Sequence, residues 1–296
     1  RDQQIAEDEN QSGNVSGLSG KSVHFITLQA WNEARDIALD AGQQVATCLY
    51  HIGQTLRKHR DVSERNNVAT ALHNLGMAAG ELGDYVFEMQ LYSKTLKLRR
   101  ESGEHGNEAV ADTLICMGAC HQSRGNLSAG MSCYEEAQDM YRKKLGPKDI
   151  KVAKSLHNMG VIHCEQSELD SAMQCFKSSL KIRQMQKGGD EYDEHMADTL
   201  CWIGKVYREQ QLLDKAFKYF VTARMAKESI FGKESLEVAE ILHNIAVIHD
   251  DKGEYDRALD LYTKSLRARR KILGDEHDDI CELMTCMGNA YVRMND

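Results

Sequence analysis

A leucine or methionine followed four positions later by glycine or alanine returns six times along the chain: Leu72/Gly76, Leu114/Gly118, Leu156/Gly160, Leu200/Gly204, Leu242/Ala246 and Met284/Gly288. The small residues lie 42, 42, 44, 42 and 42 positions apart, and the one longer interval contains "KGGDEYDEH", where a two-residue loop insertion fits. Three further columns keep step with this anchor. Twelve positions after it stand Glu88, Gly130, Ala172, Ala216 and Ala258, mostly small. Sixteen after it runs an unbroken aromatic series, Tyr92, Tyr134, Phe176, Phe220 and Tyr262, and nineteen after it come Thr95, Ala137, Ser179, Ala223 and Ser265. Within each unit apolar residues recur at intervals of three and four, as on one face of a helix. Turn signals such as "LGDY", "RGNL" and "KGEY" divide the unit in two. Each unit is therefore predicted to be a helix A, a tight turn and a helix B, with small residues letting the pair approach closely and the aromatic filling the space beside them.

Stepping back 42 residues from Gly76 reaches Ala34, and the same offsets then find Ala46, Tyr50 and Gly53. "CLYHIG" at Cys48 is accordingly read as helix B of a first repeat. Repeats are expected at 27–68, 69–110, 111–152, 153–196, 197–238 and 239–280, with a final single helix at 281–296. Residues 1–26, polar and rich in Gly and Ser over their first twenty positions, read as a flexible segment or linker. The chain has 296 residues and a single proline, which favours an all-helical protein because proline breaks helices and marks turns.

The pattern of Leu, Gly, then Ala, Phe/Tyr and Ala at these offsets resembles the tetratricopeptide (TPR) repeat. Units such as "LHNIAVIHDDKGEYDRALDLYTKSLRARRKILGDEH" from Leu242 are similar to the 42-residue repeats of kinesin light chains, and the resemblance spans about nine-tenths of the chain. Of the His-Pro pair those families carry between repeats, only His277 is kept. The resemblance implies an all-α fold, a right-handed α-solenoid or superhelix of helix-turn-helix repeats. It also implies a concave face lined by the A helices on which a partner's peptide segment lies.

Carried onto this chain, that arrangement puts Asn32, Asn74, Asn158 and Asn244, with His73, His157 and His243, on the inner surface. An Asn amide donates and accepts together, which suits the alternating N–H and C=O groups of an extended peptide. Cys116, Trp202 and Cys286 interrupt the series, and Trp202 is a candidate side-chain pocket. Asn74 and Asn158 are two repeats apart, expected ~20 Å at ~10 Å per helix layer, which about six extended residues span. Groove charge is mixed: Lys154, Lys205, Arg208 and Arg35 stand against Glu81, Glu165, Asp250 and other carboxylates. This acidic balance favours a ligand with some Lys or Arg. A clamp for a terminal carboxylate would need several cations where this chain has His, Asn, Cys, Ile or Trp.

Other chemistries find little footing. His157 and His163, in "SLHNMGVIHCEQ", are six residues apart, so on a helix they diverge by about 120° and lie ~9 Å apart along its axis. One zinc on one helix calls for the i, i+4 spacing instead. Position 163 shares its column with His121, Tyr207, His249 and Tyr291, where a packed ring in the seam between helices is expected. No metal or cofactor is expected, and no enzyme activity, since phosphate-cradling loops and nucleophile elbows are missing. The net charge of −8 argues against nucleic acid, and the basic runs "KLRRE" at Lys97 and "RARRK" at Arg267 read as solvated convex faces. Nine cysteines without a C-x-x-C pair, and the lack of a membrane-length apolar run, point to reduced thiols in a cytoplasmic protein. The expected role is an adaptor or scaffold for a protein or linear peptide. The alternatives are a structural module that forms a homo-oligomer through its C-terminal helix, or the regulatory arm of a larger enzyme or signalling protein.

Overall fold

The computed structural model describes residues 62–101, 108–187 and 193–295. The expected segment 1–26, the first repeat up to residue 61, and Asn32 and Arg35 within it lie outside the described residues. The chain divides into two compact units, residues 1–105 and 106–296. The first holds α1 (Val62–Glu81) and α2 (Tyr85–Glu101). The second holds α3 (Glu108–Ser123), α4 (Leu127–Leu145), α5 (Ile150–Glu165), α6 (Leu169–Lys187), α7 (Glu194–Glu209), α8 (Leu213–Phe231), α9 (Leu236–Asp251), α10 (Tyr255–Leu273) and α11 (Asp278–Asn295).

The period becomes a measured length. In every pair of the second unit helix A has 16 residues and helix B has 19. A three-residue turn joins A to B in all five pairs, and its middle residue is left-handed: Gly83, Gly125 and Gly253 at φ near 75°, but Ser167 at 63° and Gln211 at 60°. The turn geometry is thus imposed by the packed pair even where no glycine eases it. The two extra residues of the irregular interval fall between Lys187 and Glu194, the end of one pair and the start of the next.

Side-chain caps mark where four of the A helices begin. Asp149 accepts from the Lys151 N–H at 2.8 Å, Asp193 from Met196 at 2.7 Å and Ser235 from Val238 at 3.3 Å. His277 takes the same place before α11, its Nδ1 accepting from the Asp279 N–H at 3.2 Å. The A helices consequently start at 108, 150, 194, 236 and 278, three residues ahead of the frame drawn from the leucine–glycine anchor. The cap, not the core anchor, marks the physical edge of the repeat.

In four of the five pairs the anchor glycine of helix A lies against the aromatic ring of helix B. A Cβ added to Gly76, Gly118 or Gly160 would stand 2.6, 2.5 or 2.7 Å from a ring carbon of Tyr92, Tyr134 or Phe176, and at Gly204 it would stand 3.0 Å from Phe220. All five rings of the column are buried. Burying such a ring contributes roughly 1.5–3 kcal/mol. Beside it, the Ser179 hydroxyl donates to the Ala153 carbonyl and the Ser265 hydroxyl to the Ala239 carbonyl, both at 2.7 Å, tying helix B to helix A of its own pair.

α11 has no following B helix among the described residues. Leu283 and Ala290 pack on the α9–α10 core around Tyr262. Gly288 meets nothing within 4 Å, and Met284, Tyr291, Val292 and Met294 are exposed. The two glycine environments make opposite predictions. Gly160→Ala should destabilise by about 1–2 kcal/mol, because overpacking against Phe176 outweighs the gain in helix propensity. Gly288→Ala should stabilise by about 0.5–1 kcal/mol, because the propensity gain meets no clash. Chemical denaturation of the two variants reads the signs directly.

Candidate peptide-binding face

Within the second unit, successive A helices touch one another (α3–α5, α5–α7 and α7–α9), a contact that successive B helices do not make to the same extent. The A helices therefore form the closer-spaced inner layer, and their repeat-to-repeat contacts carry polar bonds. Gln122 Nε2 donates to Glu165 at 2.6 Å, Arg293 Nη1 to Asp250 at 2.9 Å, and Lys205 Nζ to Glu240 at 3.3 Å. Lys151 bridges Glu108 and Asp112 at 2.6 and 2.7 Å.

The three expected histidines lie against the aromatic column. His73, His157 and His243 meet Tyr92, Phe176 and Tyr262 with ring centroids 5.6, 5.5 and 5.5 Å apart. His157 Nδ1 lies 3.0 Å from the Thr199 hydroxyl, which itself donates to the His195 carbonyl at 2.8 Å. With that hydrogen committed, Nδ1–H must be the donor and Nε2 carries the lone pair. Burial, and then the nearby Arg183 charge, lowers the His157 pKa to about 4. Two repeats later Leu283 stands where Thr199 does, and His243 Nδ1 is buried without a hydrogen-bond partner. Burial lowers the His243 pKa as well.

The asparagines divide. Asn158 and Asn74 are partly exposed and make no side-chain hydrogen bond among the described residues. Asn244 is buried, and its Nδ2 donates to the Glu240 carbonyl of its own helix at 3.0 Å. Trp202 is half-buried and stacks on Phe176 with centroids 5.9 Å apart and planes at 19°, while Lys205 Nζ sits over the Trp202 ring, 4.6 Å from its centroid. It packs in the seam between α6 and α7. Lys154 and Glu81 are exposed, and Arg208 pairs with Glu209 at 3.1 Å.

The second histidines of the motif belong elsewhere. His163 Nδ1 and His249 Nδ1 each lie 2.8 Å from a carboxylate at the start of helix B, Glu168 and Glu254. His249 also meets the edge of Phe217 at 5.5 Å. Among the described residues no group of three or more His, Cys, Asp or Glu is placed to hold a metal ion.

A column that sequence reasoning overlooked lies twenty-three positions after the anchor: Arg99, Tyr141, Arg183, Lys227 and Arg269. The first four are buried. Lys227 Nζ reaches Asp198 of helix A at 2.7 Å, the Tyr141 hydroxyl donates to Asp112 at 2.6 Å, and Arg269 reaches Asp279 of α11 at 3.3 Å. Burial and the Asp112 bond together raise the Tyr141 pKa, and burial lowers that of Arg183. Arg99 and Arg269 correct the expectation of solvated basic runs: Lys97 and Arg267 do face solvent, but the arginine two positions on turns inward. The fixed offset was legible; its burial was not, because a charge column is ordinarily a solvated face.

Lys205, Leu236, Glu237, Glu240, His243, Asn244, Arg269, Leu273, His277, Asp279, Glu282 and Leu283 line a cleft of about 680 Å³ between α7, α9, α10 and α11. In its lining, Asn244 and Leu273 occupy positions that hold the larger Trp202 and Phe231 one repeat earlier.

The family model for the tetratricopeptide repeat matches residues 109–185 and 195–271, just over half of the chain. The chain belongs to the tetratricopeptide repeat family. Repeats of this family are protein-interaction scaffolds, which places the TPR chain in that functional class. No curated protein matches it in sequence. Among solved structures, BtubC (BKLC) of P. vanneervenii is similar, with a TM-score of 0.66 at 14% identity over 79% of this chain and 92% of that one. The nearly identical TPR-like repeats of a P. anserina protein described as a kinesin light chain give a TM-score of 0.57 at 12% identity, over 70% and 97%. The Rap conjugation gene regulator of plasmid pLS20, in complex with the Phr* peptide, gives 0.60 at 16%, over 75% of this chain and 58% of that one. At these identities the likeness is one of fold, an all-α TPR solenoid of kinesin light chain type. No helix among the described residues is long and apolar enough to cross a membrane.

The His157 environment predicts a pH effect with a definite sign. Its folded pKa, about 4, lies below the ordinary value of 6.5, so the unfolded chain binds the proton more readily. Stability should fall as pH drops through the window from 6.5 towards 4. His157→Gln should remove on the order of 1 kcal/mol of that loss between pH 6.5 and 5, measured as the difference in urea midpoints of the two proteins.

Proposed function

We propose that this chain is an adaptor that holds an extended segment of a partner protein along the face of its A helices, as a kinesin light chain-like cargo or complex adaptor. The observation that carries the reading is Asn158. Around it the polar side chains of that face are engaged: Gln122 with Glu165, Lys205 with Glu240, Asp250 with Arg293, and Asn244 with its own helix. Asn158 is partly exposed and bonded to none of the described residues. Asparagine in a helix interior is unfavourable, so its retention there has a use in binding. Its amide matches one N–H and one C=O of an extended backbone. Lys154, one turn earlier on the same helix face, is exposed and has no ion pair among the described residues. Asn74 in the first unit is likewise partly exposed, with no side-chain hydrogen bond among the described residues. The Rap regulator, of similar fold, is known in complex with a peptide, which supports the reading by analogy. The partner is a protein or peptide with basic residues, held by shape and backbone bonding, and this function calls for no catalytic step.

Screening the chain on an array of random ten-residue peptides tests this. The Asn74→Ala/Asn158→Ala variant should lose about tenfold or more in affinity for the peptides that the wild type selects, at a net ~1 kcal/mol per hydrogen bond. Undiminished binding with helical content intact would falsify the groove reading. A second reading, self-association, is favoured by the exposed Met284, Tyr291 and Val292 of α11 beside the open Gly288. It predicts a concentration-dependent dimer in light scattering, and a strict monomer at high concentration rejects it.

A further inference from the structure

The cleft between α7, α9, α10 and α11 carries an imbalance of charge that its internal ion pairs do not remove. Four carboxylates line it, Glu237, Glu240, Asp279 and Glu282, against two cations, Lys205 and Arg269. Glu240 is taken by Lys205 at 3.3 Å and Asp279 by Arg269 at 3.3 Å. Glu237 on α9 and Glu282 on α11 have neither an ion pair nor a side-chain hydrogen bond among the described residues. The opening therefore keeps two uncompensated negative charges on two different helices. Concave walls of low dielectric concentrate that field.

The rest of the lining suits a long side chain with a charged end. Leu236, Leu273 and Leu283 offer apolar contact for a methylene stem. His243 lines the same space with its Nδ1 buried and unpartnered, whereas His157, two repeats earlier, is satisfied by Thr199. In the preceding repeat the positions of Asn244 and Leu273 hold the larger Trp202 and Phe231. An anionic group would meet Glu237 and Glu282, and a wholly apolar one would desolvate them without compensation.

We propose that this cleft is a subsite for a cationic side chain, lysine or arginine, of the partner segment; it rests on the reading that such a segment lies along the A helices. Glu237 and Glu282 would hold the charged end, and the leucines the stem.

The subsite is tested with a small probe independent of any partner. The imidazole signals of His243 and His277 are followed by NMR during titration with N-acetyl-argininamide, and with N-acetyl-citrullinamide as the neutral isostere. Saturable shifts at both histidines are expected for the arginine compound, at least tenfold weaker for citrulline, and at least fivefold weaker in Glu237→Gln/Glu282→Gln. An equal response to citrulline, an unchanged response in the double variant, or no saturable shift at these histidines overturns the proposal. The peptide array separates the two readings. Selected peptides should be enriched in Lys or Arg, and the double variant should lose that enrichment while still selecting peptides. Selection without any basic preference overturns the subsite and leaves the groove standing. Argininamide binding with no peptide selected at all supports the subsite and removes the groove.

Discussion

The contact between the anchor glycine of helix A and the aromatic ring of helix B is the constraint on which the rest of the repeat depends. A ring carbon lies so close to the glycine that a Cβ at Gly76, Gly118 or Gly160 would overlap it. Helix A therefore approaches helix B at nearly backbone distance, and the ring occupies the space that a side chain on helix A would have taken. Gly204 and Phe220 hold the same relation slightly farther apart, and Ala246 shows that one pair carries a methyl group in the same buried column. Once this approach is set, the three-residue turn has no freedom left. Ser167 and Gln211 adopt the left-handed conformation there without being glycine.

Stacking of pairs within the second unit rests on a different set of contacts. Polar side chains on the A helices bond across one repeat, as Gln122 with Glu165, His157 with Thr199 and Asp250 with Arg293 do, separated by 43, 42 and 43 residues. The cation column at the end of the B helices adds Lys227 with Asp198 inside a pair and Arg269 with Asp279 across one. These are nearest-neighbour terms, and an array held by such terms derives its stability locally. They also use up most of the polar groups on the inner layer. Lys154 and Asn158 on α5, and Glu237 with Glu282 around the cleft, are not used in this way.

The motif in "LHNMGVIH" illustrates how far residues alone could go. The period separated its leucine and glycine, which pack, from its histidine and asparagine, which were assigned to the groove. His157 and Asn158 are adjacent, yet the histidine is bonded to the next repeat and pressed against Phe176, while the asparagine remains unbonded. Asn244, in the same column, turns back on its own helix. The two histidines of the same column differ as well, because Thr199 stands opposite His157 and Leu283 opposite His243 in the next repeat.

By itself the sequence determined the helical pairing, the 42-residue period, the site of the two-residue insertion and the glycine–aromatic column. These follow from steric and apolar requirements that every repeat must meet, so they recur and can be counted. Tertiary structure decided what was not repeated. It turned Arg99 and Arg269 inward, packed Trp202 on Phe176, and opened a cleft where Asn244 and Leu273 replace bulkier residues. It also began the A helices of the second unit three positions ahead of the frame drawn from the core anchor. Such packing depends on which side chain stands opposite, as Phe176 does to Trp202 and Asp279 to Arg269, and opposition across a seam exists only once the helices are packed.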